Sequence, residues 1–186
     1  MKKKGRLIGL FLFSMLGLTG LAQGAQPQAE GDQHTFVIGH HGISMVVPAG
    51  WTARLGGFGV DLTVIGPKSR DAQAVVTLSH IGETENLRFD EPKTEEKKYR
   101  SERSEWLKMR DGKFLSLIPY RKLSFRDVTG YSIGYRYSTW GKNYVENSSI
   151  LYCKGSVYQL QSQSAGADER GTAKAFEKMI SGFACQ

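Results

Sequence analysis

The chain has 186 residues, 40% of them hydrophobic, with 25 Lys and Arg against 18 Asp and Glu. Four of those cations, Lys2, Lys3, Lys4 and Arg6, precede an apolar run from Leu7 to Leu21, so the remainder carries only 21 against 18, a balance of +3. This excludes nucleic-acid binding by bulk charge, which needs a concentrated basic patch; taking 25 residues from 186 leaves about 161, enough for one domain with a real core and too few for two.

The basic start, the apolar run and the small-residue exit Ala22-Gln23-Gly24-Ala25 read as a secretory signal peptide over Met1 to about Ala25. The run is short for a membrane span and no second one follows, so the mature part is expected to be soluble, without an integral span. No cysteine stands at the exit, so lipid anchoring is not indicated. Export points to the periplasm, and an extracellular destination would carry the same signal. Gln26 to Gln33 is polar and reads as a disordered leader, leaving residues 34–186 as a single domain.

Phe36 and Ile38 alternate into a first strand, Gly39-His40-His41-Gly42 turns it, and Ile43, Met45 and Val47 alternate along a second. Pro48-Ala49-Gly50 ends that strand, and Trp51 is expected to plug the end of the core. Gly56, Gly57 and Gly59 do not match G-x-G-x-x-G and precede a strand, so they mark a loop, not a phosphate cradle. With Phe58 they form the candidate wall of a small-ligand cleft. Two more strands, Val60 to Ile65 and Ala74 to Ile81, are joined through Gly66-Pro67 and the charged turn Lys68 to Asp71.

Pro92 to Arg110 is predicted to be a helix, capped by Thr94, acidic at Glu95 and Glu96 and basic at Lys108 and Arg110. Its thin apolar face of Tyr99, Trp106, Leu107 and Met109 suits a cover over a sheet edge. Asp111-Gly112 stops it, and Pro119 interrupts the extended stretch from Phe114 to Phe125, which calls for an edge strand or a bulge. Tyr131, Ile133, Tyr135 and Tyr137 then alternate with Ser132, Gly134, Arg136 and Ser138, opening a meander through Tyr144 to Cys153 and Ser156 to Gln163. Lys154-Gly155 is its second turn. Ala173, Phe176, Met179, Ile180 and Phe183 recur at helical spacing and give a stripe to lay across the sheet.

In an oxidising compartment Cys153 and Cys185 are expected to pair. His34, His40 and His41 are close enough in sequence to suggest a metal, but adjacent strand residues point to opposite faces, so a solvated turn is favoured and no metal ligand is assigned. His80 shares a face with Val76 and Leu78 and reads as a core-boundary histidine. There is no Gly-x-Ser-x-Gly elbow and no distinct carboxylate pair, hence no catalytic residue and no cofactor is assigned. Tyrosines exceed what a small core usually needs: ordinary packing and sheet propensity are the favoured account, with part of the Tyr131, Tyr135 and Tyr137 face under the last helix, and the competing account makes the rest, with Arg136 and Trp140, a surface that binds another envelope or secreted protein. The alternatives are a ligand cleft beside Gly56 to Gly59 and, behind it, a hydrolase or metal enzyme using His80 or the His40-His41 turn.

Ile43-Ser-Met-Val-Val-Pro-Ala-Gly-Trp51, the aromatic meander from Tyr131 to Leu160, and Phe176-Glu-Lys-Met-Ile-Ser-Gly-Phe183 together resemble the Mog1/PsbP-like family, which includes DcrB-type bacterial exported proteins. The resemblance implies an α/β sandwich, a mainly antiparallel sheet with helices on both faces. It implies accessory or binding roles, such as assembly factors and envelope lipoproteins, with no shared catalytic constellation.

Overall fold

In chain order the elements are β1 (Asp32–Ile38), β2 (His41–Val47), β3 (Thr52–Leu55), β4 (Leu62–Ser69), β5 (Ala72–Glu83), α1 (Pro92–Lys108), β6 (Lys113–Phe125), β7 (Val128–Thr139), β8 (Lys142–Cys153), β9 (Ser156–Ala165), α2 (Glu169–Ser181) and β10 (Ala184–Cys185). The computed structural model describes residues 31–57, 59–69, 72–84, 91–165 and 168–186. The segment read as a signal peptide and the start of the leader lie outside them. β1 nevertheless takes in Asp32 and Gln33, which pair with Val47 and Val46, so the paired fold begins two residues before the boundary expected at residue 34.

A seven-stranded antiparallel sheet has the order β3-β4-β5-β9-β8-β7-β6, and a smaller one the order β1-β2-β10. Register assigns the faces of the large sheet. Tyr131, Ile133, Tyr135 and Tyr137 of β7 stand opposite Ile150, Ser148, Glu146 and Tyr144 of β8, on one face; Leu151, Tyr158, Leu160, Leu78 and Val76 share the other. On that second face α2 buries Thr172, Ala175, Phe176, Met179 and Ile180, and the small sheet adds Ile38, Ile43, Met45 and Val47 to the same core. The first face belongs to α1, whose Tyr99, Trp106 and Leu107 pack on the tyrosines. The molecule is therefore layered, α1 over the large sheet over α2 and the small sheet, an antiparallel α+β sandwich with a helix on each face.

Several sequence expectations shift. The tyrosine face is covered by α1, not by the last helix, because a helix with few aliphatic residues can still cover a sheet when its aromatic and arginine stems lie across it. Helix α1 is capped at Glu91 with Pro92 at its first position, and Thr94 is already inside, its amide donating to the Glu91 carbonyl at 2.8 Å. β4 runs through Gly66-Pro67 to Ser69, with a register shift between Ile65 and Lys68, while Arg70 and Asp71 of the expected turn lie outside the described residues. The short edge strand β3 was not anticipated, since only one of its four residues is even half-buried and no periodic signal marks it. Pro119 does sit in edge strand β6, at a register shift between Ile118 and Arg121. Trp51 packs against the main core and lies against Gly66, where a Cβ would come within 2.9 Å of the indole.

Gly130 in β7 is a position of close approach. A Cβ there would fall 1.9 Å from the Ile150 carbonyl oxygen of the neighbouring strand, a backbone atom that cannot swing aside. Gly130→Ala is expected to lower stability by about 3 kcal/mol, the upper end for overpacking, because the β7–β8 ladder must part. A chemical-denaturation midpoint equal to that of the wild type would show that the ladder tolerates the methyl.

Candidate functional site

Beneath α1 lies a buried ion pair. Glu146 is only 6% exposed, and Arg103 reaches down from α1 to bring its guanidinium within 3.1 Å of Glu146 Oε1. Three neutral donors complete the carboxylate's shell: Tyr99 Oη (3.3 Å), Tyr135 Oη (3.2 Å) and Gln161 Nε2 (2.7 Å). The guanidinium also lies 5.3 Å above the Tyr99 ring and 5.8 Å above that of Tyr135, a cation–π contact that strengthens where water is excluded. Burial works against its charge, yet Glu146 and the tyrosines hold the Arg103 pKa above its ordinary value. The charge is permanent, and it pins the helix to the sheet.

Around this pair the aromatics stack in a row. Phe114 stacks on Tyr135, Tyr135 on Tyr137 and Tyr137 on Tyr144, with ring centroids 5.6, 4.9 and 5.3 Å apart. Tyr99 and Trp106 of α1 meet Tyr135 and Tyr137 edge-on. Desolvation first, and then the nearby carboxylates Glu146 and Glu95, raise the pKa values of Tyr131, Tyr135 and Tyr137 well above the usual phenol value. Because the folded pKa is the higher one, the stability these groups contribute is whole below about pH 10 and is lost as pH rises beyond it, by up to about 1.4 kcal/mol per pH unit for each tyrosine. The absorbance of these three tyrosinates should therefore appear in a cooperative step together with unfolding; a gradual rise near pH 10 that reaches the full tyrosinate amplitude in a still-folded protein would contradict the burial argument.

The surface expected from Tyr131, Tyr135, Arg136, Tyr137 and Trp140 thus separates. The three tyrosines are 8%, 0% and 1% exposed and serve as the core under α1, which corrects the expectation of a tyrosine surface. Arg136 points to the opposite face and pairs with Glu169 of α2. Arg136 stays partly in solvent beside Glu169, and Trp140 is the aromatic of the set left exposed, at 68%, on the β7–β8 hairpin tip.

That tip is a two-residue turn, with Trp140 at φ 49° and Gly141 at φ 69° between the paired residues Thr139 and Lys142. Two positive φ values are the type I′ arrangement, for which Asn-Gly is the preferred pair and a bulky aromatic first residue is an outlier. The α1–β6 turn abuts the hairpin, since Thr139 Oγ1 donates to the Arg110 carbonyl at 3.0 Å and Lys113 pairs with Ser138. This brings Met109, 73% exposed, to the same end of the molecule. Sequence reasoning missed Met109 because its helical position counted it with the buried stripe. Lys108, Lys113 and Lys142 are exposed beside the two apolar residues, and Arg110 lies flat on Trp106 at 4.3 Å.

The other sequence-predicted residues gather at the far end of the sheet. His80 packs on the Tyr158 ring at 5.4 Å, its backbone amide donates to Asp61 Oδ2 at 2.6 Å, and its Nε2 stands 3.2 Å from Glu83 Oε1. The β1–β2 turn reaches the same place, since a Cβ on Gly39 would lie 3.3 Å from the His80 ring. Among the described residues, no three His, Cys, Asp or Glu side chains are grouped to hold a metal. Gly56, Gly57 and Gly59 all take positive φ, with nothing within 4 Å of the Cβ each lacks, while Phe58 lies outside the described residues. A groove of about 260 Å³ lies elsewhere, between β6 and α2, with Arg121, Leu123, Phe125, Glu177 and Ile180 among its walls. Cys153 and Cys185 form a disulfide, both sulfurs buried, joining the end of β8 to β10 and thereby one sheet to the other.

Neither a protein-family model nor a curated protein matches the sequence. Solved structures do match the architecture. Cyanobacterial PsbP (CyanoP) from Synechocystis sp. PCC 6803 superposes with a TM-score of 0.62 over 90% of this chain and 99% of its own, at 16% identity. The fold is PsbP-like. LpqN of Mycobacterium tuberculosis, a protein involved in cell envelope biogenesis, shares it at a TM-score of 0.54 and 14% identity, over 85% of this chain and 92% of its own. At such identities the PsbP-like likeness speaks for the arrangement of layers and leaves the surface residues to be argued from this chain.

Proposed function

We propose that the chain is a non-catalytic accessory domain, exported and acting in the bacterial cell envelope, that works by binding another envelope component through the Trp140–Met109 end. The observation that carries this reading is the exposed Trp140 in left-handed backbone. A left-handed residue other than Gly or Asn costs about 1–2 kcal/mol, and an exposed indole gains little from the fold in return, so its retention at a hairpin tip suits a contact made outside the chain. The partner expected from the sequence, an envelope or secreted protein, is one class of component such an end can hold.

Envelope residence is supported by the signal-like start, by the buried Cys153–Cys185 disulfide, which suits an oxidising compartment, and by the shared fold of LpqN. Kinship with the DcrB-type exported proteins belongs to this proposal and rests on the Ile43 to Trp51 and Phe176 to Phe183 patterns. The absence of catalysis is likewise part of the proposal; it is supported by His80, which is packed against Tyr158 and Glu83 as a structural histidine is.

A photoreactive phenylalanine analogue at position 140 should give envelope adducts in cells exporting the protein, whereas the same group at position 174 on α2 should not. Equal labelling from both positions, or none from 140, would remove the reading. Trp140→Asn supplies a second test, because Asn suits the left-handed turn. The variant is expected to be more stable by about 1 kcal/mol, or roughly 2–4 °C in Tm, while losing the envelope adducts that the analogue at the nearby exposed position 143 gives when Trp140 is kept.

A further inference from the structure

The Trp140–Met109 end combines two features that together select one partner chemistry. Its apolar side chains project from two separate turns and are 68% and 73% exposed. Around them stand Lys108, Arg110, Lys113 and Lys142 against the single carboxylate of Asp111, with Glu105 one turn further back. Counted with Glu105, that is four cations against two carboxylates, a local excess of two on a chain whose balance after Ala25 is only +3. We infer that this end docks on an anionic phospholipid surface, Trp140 and Met109 entering the headgroup layer and the lysines holding lipid phosphates. The inference rests on the binding-end reading above and names the partner within it.

Charge decides against a second copy of the chain, since two such ends would set like charges face to face. Area decides between lipid and protein. A stable protein interface buries about 800 Å² on each partner, far beyond two projecting side chains and their flanking lysines, whereas a headgroup layer needs no matched surface. Indole is at home at that depth, with an apolar body and a polar N–H. Lysine stems can lie along the same boundary with their ammonium groups in water. An anionic surface adds about 1 kcal/mol for each lysine near it, so attachment is peripheral, reversible and sensitive to salt. No helix among the described residues is long and apolar enough to cross a membrane.

The test is co-sedimentation of the purified mature protein with vesicles of phosphatidylcholine alone and of phosphatidylcholine mixed with phosphatidylglycerol. Binding is expected only to the mixed vesicles and should fade as the Debye length shrinks from about 10 Å at 0.1 M salt to about 3 Å at 1 M. The triple variant K108Q/K113Q/K142Q should weaken binding on the order of 10²-fold, at about 1 kcal/mol per lysine. W140N should weaken it as well while remaining folded. A control, R170Q/K174Q/K178Q, removes three cations from α2 and should leave binding intact. Equal loss in the two triple variants would reduce the effect to net charge and overturn the inference, as would undiminished binding by W140N. If no vesicle binds while position 140 still yields protein adducts in cells, the lipid assignment falls and the binding end stands; if both are silent, both fall.

Discussion

Glu146→Leu, made with Arg103 left in place, is expected to lower stability by about 3–5 kcal/mol, the range for removing one partner of a buried ion pair. The loss arises less from the missing attraction than from what remains. Arg103 would keep a permanent charge under α1 with no carboxylate to meet it, and Tyr99, Tyr135 and Gln161 would each lose their shared acceptor. Since Arg103 is 20% exposed on its side chain, some relief comes by swinging toward water, which favours the lower part of the range. The double variant Arg103→Met, Glu146→Leu removes both charges and should recover much of the loss, because a buried pair replaced by apolar side chains is often close to neutral. Urea unfolding of the two singles and the double closes the cycle. Additive losses, with no recovery in the double, would show that the two residues act independently and that α1 is held by its aromatic contacts alone.

Removing the disulfide is the second large perturbation. Cys153 and Cys185 are 32 residues apart, and opening a ring of that size releases about 3–4 kcal/mol of loop entropy to the unfolded chain. The bond also has a mechanical position. β10 contributes just two residues to the small sheet, pairing with Ser44 and Ile43, so without the bridge its two-residue ladder would have to hold the C-terminal strand against β2. Cys153→Ser, Cys185→Ser is therefore expected to lower the unfolding free energy by about 3–4 kcal/mol and to speed amide exchange first at Cys185 and Gln186. A double variant as stable as the oxidised parent would mean that the reduced, unfolded chain is already constrained over this stretch.

How much of this was legible depended on whether a signal is carried by one element or by the meeting of two. The β7–β8–β9 meander and the α2 stripe could be read because each strand or helix shows its own period, and the bulge in β6 because Pro119 cannot donate to a ladder. The disulfide followed from two cysteines in a chain whose start reads as an export signal. By contrast, no period says which of two helices lies on a given face. The tyrosines of β7 looked surplus because α1 shows few aliphatic residues, and its role as their cover emerges only when Arg103 meets Glu146, 43 positions away. Trp140 was visible as an aromatic at a turn; Met109 became its neighbour only through the fold, where the Thr139–Arg110 bond sets two turns side by side. Strand β3 was hidden because an exposed edge of four residues needs no apolar alternation.

The length of β8 has a consequence for what the molecule can reach. The strand starts at Lys142 beside the Trp140 turn and ends at Cys153, and its 12 residues span about 40 Å at about 3.3 Å each. Gln186 lies at that distal end, its amide donating to the Gly42 carbonyl at 2.7 Å, together with His80 and the β1–β2 turn. A domain resting on its Trp140 end would stand upright like a post and carry Gln186 roughly a strand's length above the support. An affinity handle or a fused protein added after Gln186 would then face open solvent, and energy transfer from a dye placed there to labelled lipid would measure the height of the post directly.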